Sequence, residues 1–147
     1  MNIHPPRNCG RVGAGASTIA RLLGVARTGL GIVAILAPRL PVAPWVGDDE
    51  ARRGSVRLLA RALGGRDITI GLGTLLERDP KRLRQLLLLG AGADLVDASV
   101  TLRDFSHLPK FWRWGILAAT SGAVVVGLAV AAGLPSEIAH ERSAPTN

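Results

Sequence analysis

The sequence predicts an all-α protein, a four-helix transmembrane up-and-down bundle, and three observations carry that expectation. From Gly115 to Ser136 the chain reads GILAATSGAVVVGLAVAAGLPS without a single charge, and about 20 apolar residues suffice to cross a hydrocarbon core of roughly 30 Å. The chain is 48% hydrophobic with a mean hydropathy of +0.28, more apolar than a soluble domain of 147 residues needs. Segments of helical length are separated only by short stretches carrying Pro, Gly and Asp, which makes antiparallel neighbours the economical arrangement.

Each element has its own signals. Residues 1–16 are expected to form an N-terminal tail, with no apolar stretch resembling a cleavable signal peptide, so that the first hydrophobic helix itself directs targeting. The first helix is expected over about 17–37, with Ser17 or Thr18 capping its free amides and Pro38 ending it. The second is expected over about 49–76, opening at the acidic cluster Asp48, Asp49, Glu50, which favours a helix N-terminus. A third, over about 80–102, begins with Asp79 as cap and Pro80 in its first turn. The fourth, over about 109–133, stops at Gly133, Leu134 and Pro135, and residues 135–147 read as a polar, disordered tail. The first two segments match at a constant offset of 40, sharing Ala20/Ala60, Arg21/Arg61, Leu23/Leu63, Gly24/Gly64, Gly31/Gly71 and Leu36/Leu76. This reads either as a helix duplication or as a chance match in a chain rich in Ala, Leu, Gly and Arg.

Composition excludes several function classes. A net charge of +7 and a pI near 11.4 would suit nucleic acid, but the arginines flank apolar segments, as anchoring charges at head groups do, so no nucleic-acid partner is expected. Cys9 is the sole cysteine, which rules out an intramolecular disulfide. His4, His107 and His140 are scattered over loops and tail, so no metal site is expected. No nucleophile elbow or phosphate-binding loop occurs, so no catalytic or cofactor-binding residue is assigned. Trp45, in the loop after the first helix, and Phe111, Trp112 and Trp114, around the entrance to the fourth, lie on one side of a four-span arrangement and are expected to act as anchors at one membrane interface. Both termini are then expected on the same side of the cell membrane. Positive charges divide eight against seven between the sides, and the short ERDPKRLR segment, with four of them, points its side toward the cytoplasm.

The candidate site is a set of charges in the apolar segments. At 1.5 Å of rise per residue, Arg66 lies about 15 Å from the end of its helix, and Arg27, Asp67, Asp94 and Asp97 reach similar depth. An unpaired charge there costs about 2.5–3.5 kcal/mol on insertion scales, so each needs a partner. Arg66 and Asp67 are adjacent and point about 100° apart, which sends each to another helix. Asp94 and Asp97, at i and i+3, share a face and are expected to receive the Arg66 guanidinium, with Arg27 and Asp67 as the second pair. The formal sum of the five charges is −1, which leaves one carboxylate to take a proton or a positive ligand. Glycines on the first three helices allow close backbone approach. The fourth, which carries no such charge, is expected to face lipid or a partner.

The element Gly64, Gly65, Arg66, Asp67, followed by Gly71 and Gly73 and then by the Asp94 and Asp97 helix, resembles a family of small bacterial four-helix integral membrane proteins of unknown function, and more remotely the DoxX-like proteins. The resemblance spans about residues 20–132. It implies a multi-pass membrane protein without an assigned activity, and through the DoxX-like comparison an association with quinone-linked partners, although no cofactor ligand is visible in this chain. The functional expectation is a non-enzymatic bundle that binds lipid or protein, possible partners including membrane lipids, another membrane protein or a second copy. The alternative is a proton-coupled or small-molecule carrier, or a quinone-linked subunit, using the carboxylates at mid-depth.

Overall fold

The computed structural model describes residues 9–134, whose regular elements are all helices, with no strand among the described residues. The helices are α1 (Cys9–Leu36), α2 (Arg39–Val46), α3 (Gly54–Leu76), α4 (Pro80–Arg103) and α5 (Arg113–Ala132), with a 3₁₀ turn at Glu50–Arg52 between α2 and α3. Three segments are long and apolar enough to cross a membrane: Gly15–Leu36 within α1, then α4 and α5. α3 spans 23 residues, about 34 Å, and carries Arg57, Arg61, Arg66 and Asp67, which lower its hydropathy.

Several sequence-based boundaries shift. α1 begins at Cys9 rather than near Ser17, so part of the expected tail is helix and Ser17 and Thr18 lie inside it. No proline interrupts residues 9–36, and the Gly- and Ala-rich start continues the helix. The expected loop after Pro38 is largely the short helix α2, with Pro38 at its N-cap and Trp45 within it. Proline tolerates that position because its fixed φ is already helical and its missing N–H would be unpaired there anyway. Gly47, at φ +86°, ends α2 while its N–H bonds the Ala43 carbonyl at 2.8 Å; a residue bearing Cβ is disfavoured in that conformation. Asp48, Asp49 and Glu50 do not start the long helix. They lead into the 3₁₀ turn, and extended Arg53 breaks the chain before α3. The last helix begins at Arg113, after Trp112, instead of near Pro109. The expected C-terminal tail lies outside the described residues.

The turn between α3 and α4 is tight because its acidic side chains take up free amides. Glu77 Oε1 accepts from the N–H groups of Arg78 (2.8 Å) and Asp79 (2.9 Å), and Asp79 Oδ1 accepts from Lys81 N–H at 2.9 Å, capping α4.

α1 and α3 pack along most of their length, as do α4 and α5, while the two pairs touch each other less extensively. The α1–α3 contact is made by glycines. A Cβ on Gly31 would lie 2.6 Å from the Gly64 carbonyl oxygen, and one on Gly64 2.7 Å from that of Gly31. Gly24 and Gly71 meet in the same way, a Cβ on Gly24 falling 2.9 Å from the Gly71 oxygen. The helices are therefore antiparallel, and the offset of 40 in the sequence becomes a pseudo-twofold relation between them. Arg21 donates to the Leu75 carbonyl at 2.6 Å, and its counterpart Arg61 donates to the Ile35 carbonyl at 3.2 Å, so each helix supplies a cation to the last turn of the other.

Interior and exterior are inverted relative to a water-soluble bundle. No large side chain is fully buried among the described residues, and alanines make up half of the buried hydrophobic set. Large apolar groups lie outside, Leu36 77% and Leu76 75% exposed. One buried cluster joins Ala16 and Ala20 of α1, Leu83 and Leu87 of α4, and Val130, Ala131 and Leu134 at the end of α5. It gathers the starts of α1 and α4 with the end of α5, so α1 and α4 run in one direction and α5 in the other.

The glycine seam gives a direct test. Gly31→Leu should destabilise the protein by about 1–3 kcal/mol, the range for overpacking, whereas Gly29→Ala, with nothing within 4 Å of the added methyl, should be neutral or slightly stabilising. Unfolding of detergent-solubilised protein by SDS, followed by circular dichroism, measures both; equal effects would discount the seam.

Candidate functional site

The five charges at mid-depth are brought together, on three helices. α1 contributes Arg27, α3 contributes Arg66 and Asp67, and α4 contributes Asp94 and Asp97. Arg27 Nη1 donates to Asp67 Oδ1 at 3.2 Å, while Nη2 donates to Asp94 Oδ2 and, at 3.5 Å, to the Gly90 carbonyl. Arg66 Nη2 donates to Asp97 Oδ2 at 3.0 Å, and its Nε and Nη2 both reach Asp67 Oδ1 at 3.3 Å. Asp67 thus sits between both arginines, and the five side chains form one connected chain: Asp94, Arg27, Asp67, Arg66, Asp97. Arg27, Asp67 and Asp94 are the more enclosed, with 13–18% of each side chain exposed.

This differs from the sequence expectation in two respects. Arg27, not Arg66, takes Asp94. Helix register explains it: Gly90, one turn before Asp94, has no side chain, and a Cβ there would lie 3.5 Å from Arg27 Nη2, so the guanidinium lies over the glycine and meets the carboxylate beyond. Arg66 also reaches its neighbour Asp67. Their Cα–Cβ directions diverge, but the arginine side chain is long enough to fold back while still holding Asp97. The Arg27–Asp67 and Arg66–Asp97 contacts are those that depth matching pairs.

The glycine seam positions this network. Arg27 lies between Gly24 and Gly31, and Asp67 between Gly64 and Gly71, so both project where the two backbones are closest. The residues are related by the offset of 40, and the pair lies on the pseudo-twofold itself.

A cavity of about 570 Å³ opens beside the network, between the α1–α3 and α4–α5 pairs. Arg27, Arg66, Asp67, Asp94 and Asp97 all line it, and the rest of its wall is mainly apolar, including Leu30, Leu63, Ile70 and Ile116. α5 contributes Gly115, Ala119, Ala123 and Gly127, spaced four residues apart on one face. The last helix, expected to face lipid or a partner, thus also borders this space. Val125 and Leu128 are exposed, but the opposite stripe lines the cavity, and its small side chains are what leave the space empty. The sequence-based reading missed these residues; their i, i+4 spacing was the available signal.

Trp45 of α2 and Trp112 at the entrance to α5 line the aromatic end of the cavity. Phe105 and Trp114 stack edge to face with centroids 4.8 Å apart, Phe111 and Trp112 at 5.2 Å, and the Arg113 guanidinium lies 5.2 Å from the Phe105 centroid. Phe111 and Trp114 are exposed. A second, more open groove lies against α3 and α4, and Arg66 and Ile70 line both spaces. Among the described residues no group of His, Cys, Asp or Glu has an arrangement that could hold a metal ion.

No family model, no curated protein and no solved structure matches the chain.

Unequal enclosure of the two ends of the network sets an order of sensitivities. Arg27→Met leaves the enclosed Asp94 without a cation and Asp67 with Arg66 alone, and should destabilise by about 3 kcal/mol or more, the cost of breaking an enclosed pair. Arg66→Met should cost less, because Arg66 and Asp97 are more exposed than Arg27 and Asp94. Adding Asp94→Asn to Arg27→Met should recover part of the loss. The same unfolding assay measures the series, and an Arg66→Met loss equal to that of Arg27→Met would contradict the difference in enclosure.

Proposed function

We propose that the chain is a non-enzymatic integral membrane protein in which α1, α3, α4 and α5 span the bilayer as a four-helix bundle and the cavity between the helix pairs binds a membrane amphiphile. The observation that carries this reading is the cavity itself. Its volume falls within the roughly 300–1,000 Å³ of small-molecule sites, and such sites combine apolar walls with a few converging polar groups. Here the polar groups are concentrated at mid-depth, and the walls running from them toward Trp45 and Trp112 are apolar, which matches a molecule with one polar end.

The exterior supports the bilayer as solvent. Exposed Leu, Ile and Val on the outer faces would be an aggregation liability in water, whereas small residues between helices and large apolar residues outside are what lipid favours. In this reading the charge network also fixes which helices neighbour one another, and the aromatic end, with Trp45, Phe111, Trp112 and Trp114, lies in one head-group layer. The opposite end, with Arg78, Lys81, Arg82 and Arg84, faces the cytoplasm. Binding rather than catalysis is favoured because the acidic groups in the cavity are tied to fixed guanidiniums.

Carbonate washing of membranes should leave the protein in the pellet, and release without detergent would overturn the bilayer assignment. Native mass spectrometry of the detergent-purified protein should show a retained amphiphile that is lost in Ala119→Leu, whose side chain fills the cavity. Equal retention by both forms would overturn the cavity as its site.

A further inference from the structure

The hydrogen bonds of the network are unevenly used, and the imbalance defines what chemistry would complete it. Arg27 commits both terminal nitrogens, and Arg66 commits Nε and Nη2. Each carboxylate is bonded through a single oxygen. Oδ2 of Asp67, Oδ1 of Asp94 and Oδ1 of Asp97 make no hydrogen bond, and all three residues line the cavity. Two guanidiniums against three carboxylates leave a formal charge of −1 at the wall of an otherwise apolar space.

Resting on the cavity reading above, we propose that its ligand is a cationic amphiphile with a primary ammonium head, seated against Asp67, Asp94 and Asp97 with its apolar chain running toward Trp45 and Trp112. An ammonium has three donors and no acceptor, so it supplies both the missing positive charge and donors for the three unused oxygens. A carboxylate or phosphate head would meet those oxygens with like charge, and Arg66 Nη1 is the one terminal guanidinium nitrogen of the network without a hydrogen bond to receive it. A hydroxyl head brings one donor and leaves the net charge in place. The chain passes along Leu30, Leu63 and Ile116, which line the wall on the aromatic side.

The test is a titration of the delipidated, detergent-purified protein with dodecylamine, dodecanol and dodecanoate, read by native mass spectrometry and by the fluorescence of the cavity tryptophans. Dodecylamine should bind at least tenfold more tightly than dodecanol, and dodecanoate most weakly. Asp97→Asn should remove the preference for the amine while keeping dodecanol binding, and Ala119→Leu should weaken amine and alcohol together. Equal affinity for amine and alcohol, the result expected if one carboxyl carries a proton, would overturn the ammonium head and leave the cavity reading standing. Tightest binding of dodecanoate would do the same. Binding of none of the three would overturn both. If Asp97→Asn fails to fold, the ranking on the unaltered protein decides alone.

Discussion

The backbone approach of α1 and α3 is the constraint on which the remaining structure depends. Gly24 and Gly31 face Gly71 and Gly64 so closely that a methyl group on any of the four would strike the opposite helix. That proximity carries Arg27 and Asp67 into the same seam at equal depth, where their 3.2 Å contact is enclosed. A wider spacing would leave the two charges reaching across a gap in a region where charges without partners are costly. The seam also brings Arg21 and Arg61 over the terminal carbonyls of the partner helix, so packing, ion pairing and helix termination are satisfied by one geometry.

The α4–α5 pair is organised around a different principle. α4 supplies acceptors to the arginines of the first pair, and α5 supplies a stripe of small side chains that leaves room between the pairs. Tight packing within each pair and looser packing between them leave the cavity between the pairs. The same glycine, Gly90, serves both purposes, admitting the Arg27 guanidinium and allowing Ile70 to lie close on the cavity wall. Arg66 has another position, at the boundary between the cavity and the outer groove on α3 and α4, which explains why it is more exposed than Arg27.

Much of this was legible in local residue patterns. Runs of apolar residues mark α1, α4 and α5, Asp79 and Pro80 mark the start of α4, and the depth of five charges along their helices singles them out as mutual partners. Elements set by weaker local signals were not legible. The prolines at 38, 41 and 44 read as loop, although two of the three stand in or beside the first turn of α2, where proline suits a helix. The acidic cluster before α3 has the composition of a helix start, but extended Arg53 separates it from the helix. Aromatic residues were placed at one end, while the part that Trp45 and Trp112 play in lining the cavity depends on how α2 folds back.

The helical, membrane-compatible character of the chain, and the choice of charges that need partners, could be read from residue order alone, because both follow from hydrophobicity and from a fixed rise per residue. The sequence also contained the repeat at offset 40. Helix packing was needed to turn this repeat into an antiparallel glycine seam, to give Asp94 to Arg27 while Arg66 bridges Asp67 and Asp97, and to set α5 beside a cavity. Those outcomes depend on the rotation and register of one helix against another, and on side-chain reach, which spacing along a single helix does not specify.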